Sequence, residues 1–244
     1  MMAGGINMRN SMKKLLVAII ILPWLVHAGA EVTTTPFSGA KKGVNIWPLA
    51  KMNMPMKEET IISLKGLSTK GYIESYSIDE SVNFLFDTAK TADKERAQYD
   101  RNPDPLDTHL KSDISQIRIG FKFSGIPGIP KENVLGFAAA GGYTHEKGWD
   151  GVGEFVRIPN LGICSFTTFA IESVIIYKEG LEYLVNKKPS DKGIEGNWNN
   201  GFLYHVNWYT DTRRNSFECA NRHLNPDSLK EMIRIANQID EGLV

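Results

Sequence analysis

The residues of this chain whose types could support chemistry are two cysteines, a few histidines with neighbouring carboxylates, and one cluster of methionines. Cys164 and Cys219 are the only cysteines. Neither has a second cysteine at metal-ligand spacing, so a zinc-type thiolate site is not indicated. In an oxidising compartment an even pair reads as a disulfide. The loop it closes, about 55 residues long, corresponds to about 4 kcal/mol in the chain-entropy model.

Beyond the first 30 residues the histidines are His109, His145, His205 and His223, none within five positions of another. The helical metal motif H-E-x-x-H is absent. His145 has the most suggestive surroundings. It lies in a glycine-rich stretch with Tyr143, Trp149, Asp150 and Glu154 close by, where exposed backbone can approach a ligand. His145, Asp150 and Glu154 are therefore the candidate acid/base set if the protein is an enzyme, most naturally a hydrolase. Met52, Met54 and Met56 alternate. If that piece is extended, three thioethers share one side and suit copper(I), whereas the plainer expectation is methionines packing an arm on a sheet.

Other familiar chemistries fail on inspection. The segment from Gly66 to Gly71 has the glycine spacing of a phosphate-binding loop, but Tyr72 stands where the lysine is required. It fails equally as a nucleophile elbow, because Lys70 occupies the second glycine position. No dinucleotide fingerprint or calcium loop occurs, so no cofactor is expected.

The elements that would position these residues follow from periodicity. Ile78, Val82, Leu85, Phe86, Ala89 and Ala92 recur at helical spacing behind a Ser77-x-x-Glu80 capping box, predicting a helix near 78–100. Leu229, Met232, Ile233, Ala236 and Ile239 predict a second helix near 226–241, opened by Asn225-Pro226. Thr60 to Lys65 and Tyr72 to Ser77 read as a hairpin. Ile117, Ile119, Phe121 and Phe123 alternate with polar residues and read as a half-buried strand.

Further strands are predicted at 154–158, 163–170, 174–178, 181–186 and 202–209, with strand-like sequence also at 216–219. The polar stretch Lys187 to Asn200 reads as a loop, and 134–153 has no decisive period. On 202–209, Phe202, Tyr204 and Trp208 share one side. His205, Asn207 and Tyr209 share the other, which would suit binding if it were open. The fold class is α+β with a largely antiparallel sheet.

The start of the chain bears on location. Arg9, Lys13 and Lys14, the apolar run Leu15 to Val26 and the Ala28-Gly29-Ala30 site form a secretory signal. The expected organisation is a signal peptide at 1–30, an extended arm at 31–56 and a single domain at 57–244. Losing three basic and no acidic residues leaves 25 basic against 28 acidic, net −3. Attraction to nucleic acid or anionic membrane is therefore not built in. No later apolar run is long enough to span a bilayer.

The protein is thus expected to be exported, periplasmic or secreted, and to bind an envelope or extracellular ligand or partner without catalysis. An enzyme and a copper(I) carrier are the alternatives.

Overall fold

The computed structural model describes residues 30–31, 41–51, 54–75 and 78–243. Residues 1–29 of the expected signal peptide and Ser77 of the expected capping box lie outside them. Among the described residues no helix is long and apolar enough to cross a membrane.

The chain is α+β. The strands are β1 (Ala30–Glu31), β2 (Gly43–Trp47), β3 (Ile73–Glu74), β4 (Val134–Thr144), β5 (Gly148–Ile158), β6 (Gly162–Ala170), β7 (Ser173–Tyr177), β8 (Glu182–Val185), β9 (Lys188–Asn197), β10 (Gly201–Tyr209) and β11 (Arg213–Asn221). The helices are α1 (Met54–Lys70), α2 (Asp79–Arg101) and α3 (Ser228–Leu243). Eight strands form one sheet in the order β3-β9-β10-β11-β6-β5-β4, with β8 paired to β9, while β1-β7-β2 form a second, three-stranded sheet. The large sheet is antiparallel throughout except where the short β3 joins β9.

Strand alternation sends the two sides of β10 to different neighbours. Phe202, Tyr204, Val206 and Trp208 form a core with Phe166 and Phe217 and with Met232, Ile235, Ala236 and Ile239 of α3. Cys164 and Cys219 lie in that core, directly opposite each other on β6 and β11, with Cα atoms 4.0 Å apart and a disulfide between them. On the other side, Leu203 and Ala220 pack under Val82, Leu85 and Ala92 of α2 and Ile78 just before it. At the far end of β10, Tyr209 joins Val174 and Ile176 of the three-stranded sheet. The expected helices and the strands around 154–158, 163–170, 174–178, 181–186, 202–209 and 216–219 are all present.

Four expectations change. The hairpin at 60–65 and 72–77 is instead α1 followed by β3. Helix α1 begins inside the expected arm and places Pro55 in its first turn, where a missing N–H costs no hydrogen bond. Its Ile61 and Ile62 are exposed, so the β-branched run was no sign of a buried strand face. Segment 117–123 joins no ladder beyond one bridge between Ile119 and Trp149. Its alternation is nonetheless real in packing: Ile117, Ile119, Phe121 and Phe123 lie with Ala139 and Val152 of β4 and β5.

The unassigned 134–153 stretch supplies β4 and the first part of β5, whose ladder shifts register between Ala140 and Tyr143. Gly141 has φ +76° there, and a β-carbon would stand 1.9 Å from Asp150 Oδ1. Only glycine fits this bulge. The predicted loop 187–200 is mostly β9, entered through a turn at Asn186 and Lys187 with φ 44° and 63°.

Candidate functional site

Strand β9 escaped notice because its inward side chains are polar, and that polarity defines the site. On the α2 side of the large sheet, between α2 and the three-stranded sheet, two cross-strand rows meet. One runs Gly193, His205, Glu218, Ser165; the other runs Asp191, Asn207, Ser216, Thr167. Glu195 flanks the rows at the α2 end, and Tyr209 with Arg214 flank them at the other. Asp191, Glu195, His205, Asn207, Tyr209 and Arg214 are each at most 5% exposed. The side expected to be a binding face is therefore rich in polar groups but closed.

Asp191 is the centre of the strip. It accepts from Asn207 Nδ2 at 2.7 Å and from the Tyr209 hydroxyl at 3.1 Å. His205 Nε2 lies 3.6 Å from the same carboxylate. The imidazole reaches it because Gly193 has no side chain: a β-carbon there would be 2.5 Å from His205 Cε1.

The ionisation of the strip follows from its burial. Loss of hydration pushes the Asp191 carboxyl up to about 6, against the opposing effects of Asn207, the Arg214 charge and Tyr209. Burial, reinforced by the like charges of Glu218 and Asp191, pushes Glu195 up to about 8. Burial likewise holds the Tyr209 phenol well above its ordinary value, so it stays a donor. Asn207 Oδ1 and Arg214 Nε, an acceptor and a donor, are buried without a hydrogen-bond partner. A buried polar group left unpaired is costly, and carboxyls titrating near neutrality are features that functional sites share.

The acid/base set proposed from sequence is not assembled in this way. His145 is exposed at the tip of the β4–β5 hairpin, with its ring edge-on to Tyr143. Asp150 is exposed and accepts from the Gly142 amide at 2.8 Å, holding the bulge. Glu154 is buried on the α3 side, where it accepts from the Ile126 amide at 2.6 Å, and burial pushes its carboxyl up to about 7. These residues serve hairpin and loop geometry separately.

The methionine reading loses its premise as well. Met54 and Met56 belong to helix α1 rather than to an extended arm, and Met52 is outside the described residues. Among the described residues no group of three or more His, Cys, Asp or Glu side chains could hold a metal ion.

Periodicity brought out His205, Asn207 and Tyr209. Their partners Asp191, Glu195 and Arg214 were missed. The one signal available for β9 was the short alternation Asp191, Gly193, Glu195 opposite an apolar–polar strand, which polar composition disguised. No protein-family model, curated protein or solved structure matches the chain, so the site stands on its own geometry.

Proposed function

We propose that this is an exported, non-catalytic binding domain whose ligand is a polar molecule carrying several hydroxyl or amino groups, received by the strip on β9, β10, β11 and β6. The observation that carries the reading is the pairing of an unsatisfied buried acceptor, Asn207 Oδ1, with an unsatisfied buried donor, Arg214 Nε, beside the carboxylates Asp191, Glu195 and Glu218. Adjacent strands are about 4.8 Å apart, so four strands offer polar anchors over about 14 Å, which accommodates a small sugar or polyamine. With His205 and Asn207 at most 3% exposed, entry requires a local opening. Export is supported by the signal pattern at 1–30 and by the Cys164–Cys219 bridge, a bond suited to oxidising compartments.

Thermal unfolding of the exported protein with glucose, maltose, spermidine or putrescine tests the reading. At least one compound should raise Tm in a saturable way, and Asn207→Leu should abolish the rise. A flat response from all four, with Asn207→Leu more stable than the parent, would count against it.

A second reading, hydrolysis, is favoured by the His205–Asp191 pair, since a carboxylate-held imidazole is a familiar general base. Ester or glycoside turnover that disappears in a folded His205→Gln variant would favour it.

A further inference from the structure

The α3 side of the sheet carries a separate feature. β6, β11 and the last turn of α3 border a cavity of about 330 Å³, within the range of small-molecule sites. Its wall includes Thr168 and Asn215, which stand opposite each other on β6 and β11 beside Trp208. Both are fully buried, at 0% and 1% exposure, and neither Thr168 Oγ1 nor Asn215 Oδ1 has a hydrogen-bond partner.

The surrounding polar groups are engaged. Asp240 accepts from Lys188 Nζ at 2.5 and 2.6 Å, from Asn186 Nδ2 at 2.8 Å and from the Trp208 indole at 3.0 Å. Thr210 Oγ1 accepts from the Arg213 amide at 3.0 Å. Lys122, Lys188 and Arg213 also line the cavity, where Asp240 is the one carboxylate among the described lining residues. The Arg213 guanidinium carbon lies over the Phe121 ring, 3.4 Å from its centroid, and Arg213 donates to the Asp150 carbonyl at 3.3 Å. An arginine has five N–H donors, so most remain available to an anion.

We infer that this cavity is a second binding site, for a small carboxylate that also carries a hydrogen-bond donor, that is, a hydroxy- or amino-carboxylate. Arg213 and Asn215 are two residues apart on one side of β11 and hence about 7 Å apart. A small hydroxy- or amino-carboxylate bridges that gap with a hydrogen bond at each end, its carboxylate on the Arg213 guanidinium and its hydroxyl or amino group on Asn215 Oδ1 and Thr168 Oγ1. Arg213 faces this cavity while its neighbour Arg214 faces the polar strip, so the two sites are on opposite sides of the sheet and stand or fall separately.

Calorimetry on the whole protein with lactate, alanine and propionate tests the inference. Lactate or alanine should bind saturably, and whichever does identifies the donor. Propionate, which lacks the donor, should bind at least tenfold more weakly. Arg213→Gln should weaken binding tenfold or more, and so should Thr168→Val, a near-isosteric change that keeps the falsification open if Arg213→Gln folds poorly. Equal binding of propionate overturns the inference. So does the absence of heat from lactate and alanine up to about 10 mM, ten times a millimolar Kd, because ordered water alone then completes Thr168 and Asn215.

Discussion

The imidazole of His205 lies on the bare backbone of Gly193, where a β-carbon would come within 2.5 Å of Cε1, and this contact delivers Nε2 to within 3.6 Å of Asp191. Gly193 has no positive φ, so alanine is acceptable to its backbone and the obstacle is the ring alone. Gly193→Ala should destabilise by about 1–3 kcal/mol, the usual cost of overpacking. Adding His205→Ala should recover part of the loss, because the clash disappears with the ring. Urea unfolding of the parent, the two single variants and the double variant measures the coupling, and strictly additive effects would contradict the packing described.

The Cys164–Cys219 bridge joins neighbouring strands in the buried core beside α3. Replacing both residues with alanine should cost about 2–5 kcal/mol, as for native bridges of small secreted domains. Intact mass without reductant should fall two hydrogens short of the dithiol form. Two titratable thiols in freshly exported protein would refute the bridge.

Asp240 is buried at the C-terminal part of α3 and ties Lys188 of β9 and Trp208 of β10 to that helix. Asp240→Ala strands a half-buried ammonium and a buried indole N–H, and should cost about 3–5 kcal/mol. The pair Lys188→Met with Asp240→Leu should recover much of this, since an apolar pair leaves no unmet charge. Denaturation midpoints at neutral pH distinguish the cases.

Stability should fall from mildly acidic to mildly alkaline pH. Burial raises Asp191 to about 6, Glu154 to about 7 and Glu195 to about 8 in the folded chain. The folded state therefore holds more protons than the unfolded one across this range. The contribution of these groups is fully present below about pH 4, their unfolded range, and is lost as pH rises through about 6 to 8. Glu154→Gln keeps an acceptor for the Ile126 amide but carries no charge, so its advantage over the parent should grow from pH 5 to pH 8. Equal pH slopes for parent and variant would contradict the burial argument.

The proposed export predicts a mature chain that begins at Glu31, after the Ala28-Gly29-Ala30 site. Cleavage there leaves Glu31 opposite Ile175 and removes Ala30 from its place opposite Ile176. N-terminal sequencing of exported material decides the point, and an intact start would refute it.

Read alone, the residue order determined the elements that bury an apolar stripe. Helices α2 and α3 and strand β10 were legible because Val82, Leu85, Met232, Ile239, Phe202 and Trp208 recur at the spacing of the element that buries them. The cysteine pairing was legible because two cysteines allow one partner choice. Tertiary structure alone decided the rest. Thr60 to Lys65 has strand-like residues, yet lies in a helix whose first turn accepts Pro55. Ile117 to Phe123 has strand alternation, yet packs on the sheet without entering a ladder.

The site divided the same way. His205, Asn207 and Tyr209 could be placed on one side of β10 from sequence. Asp191, Glu195 and Arg214 could not be joined to them, because a strand whose buried neighbours are polar shows no hydrophobic period. Hydrophobic patterning records which residues leave water for oil-like surroundings. A carboxylate that leaves water for an amide, a phenol and an imidazole is visible only once the strands carrying those groups are side by side.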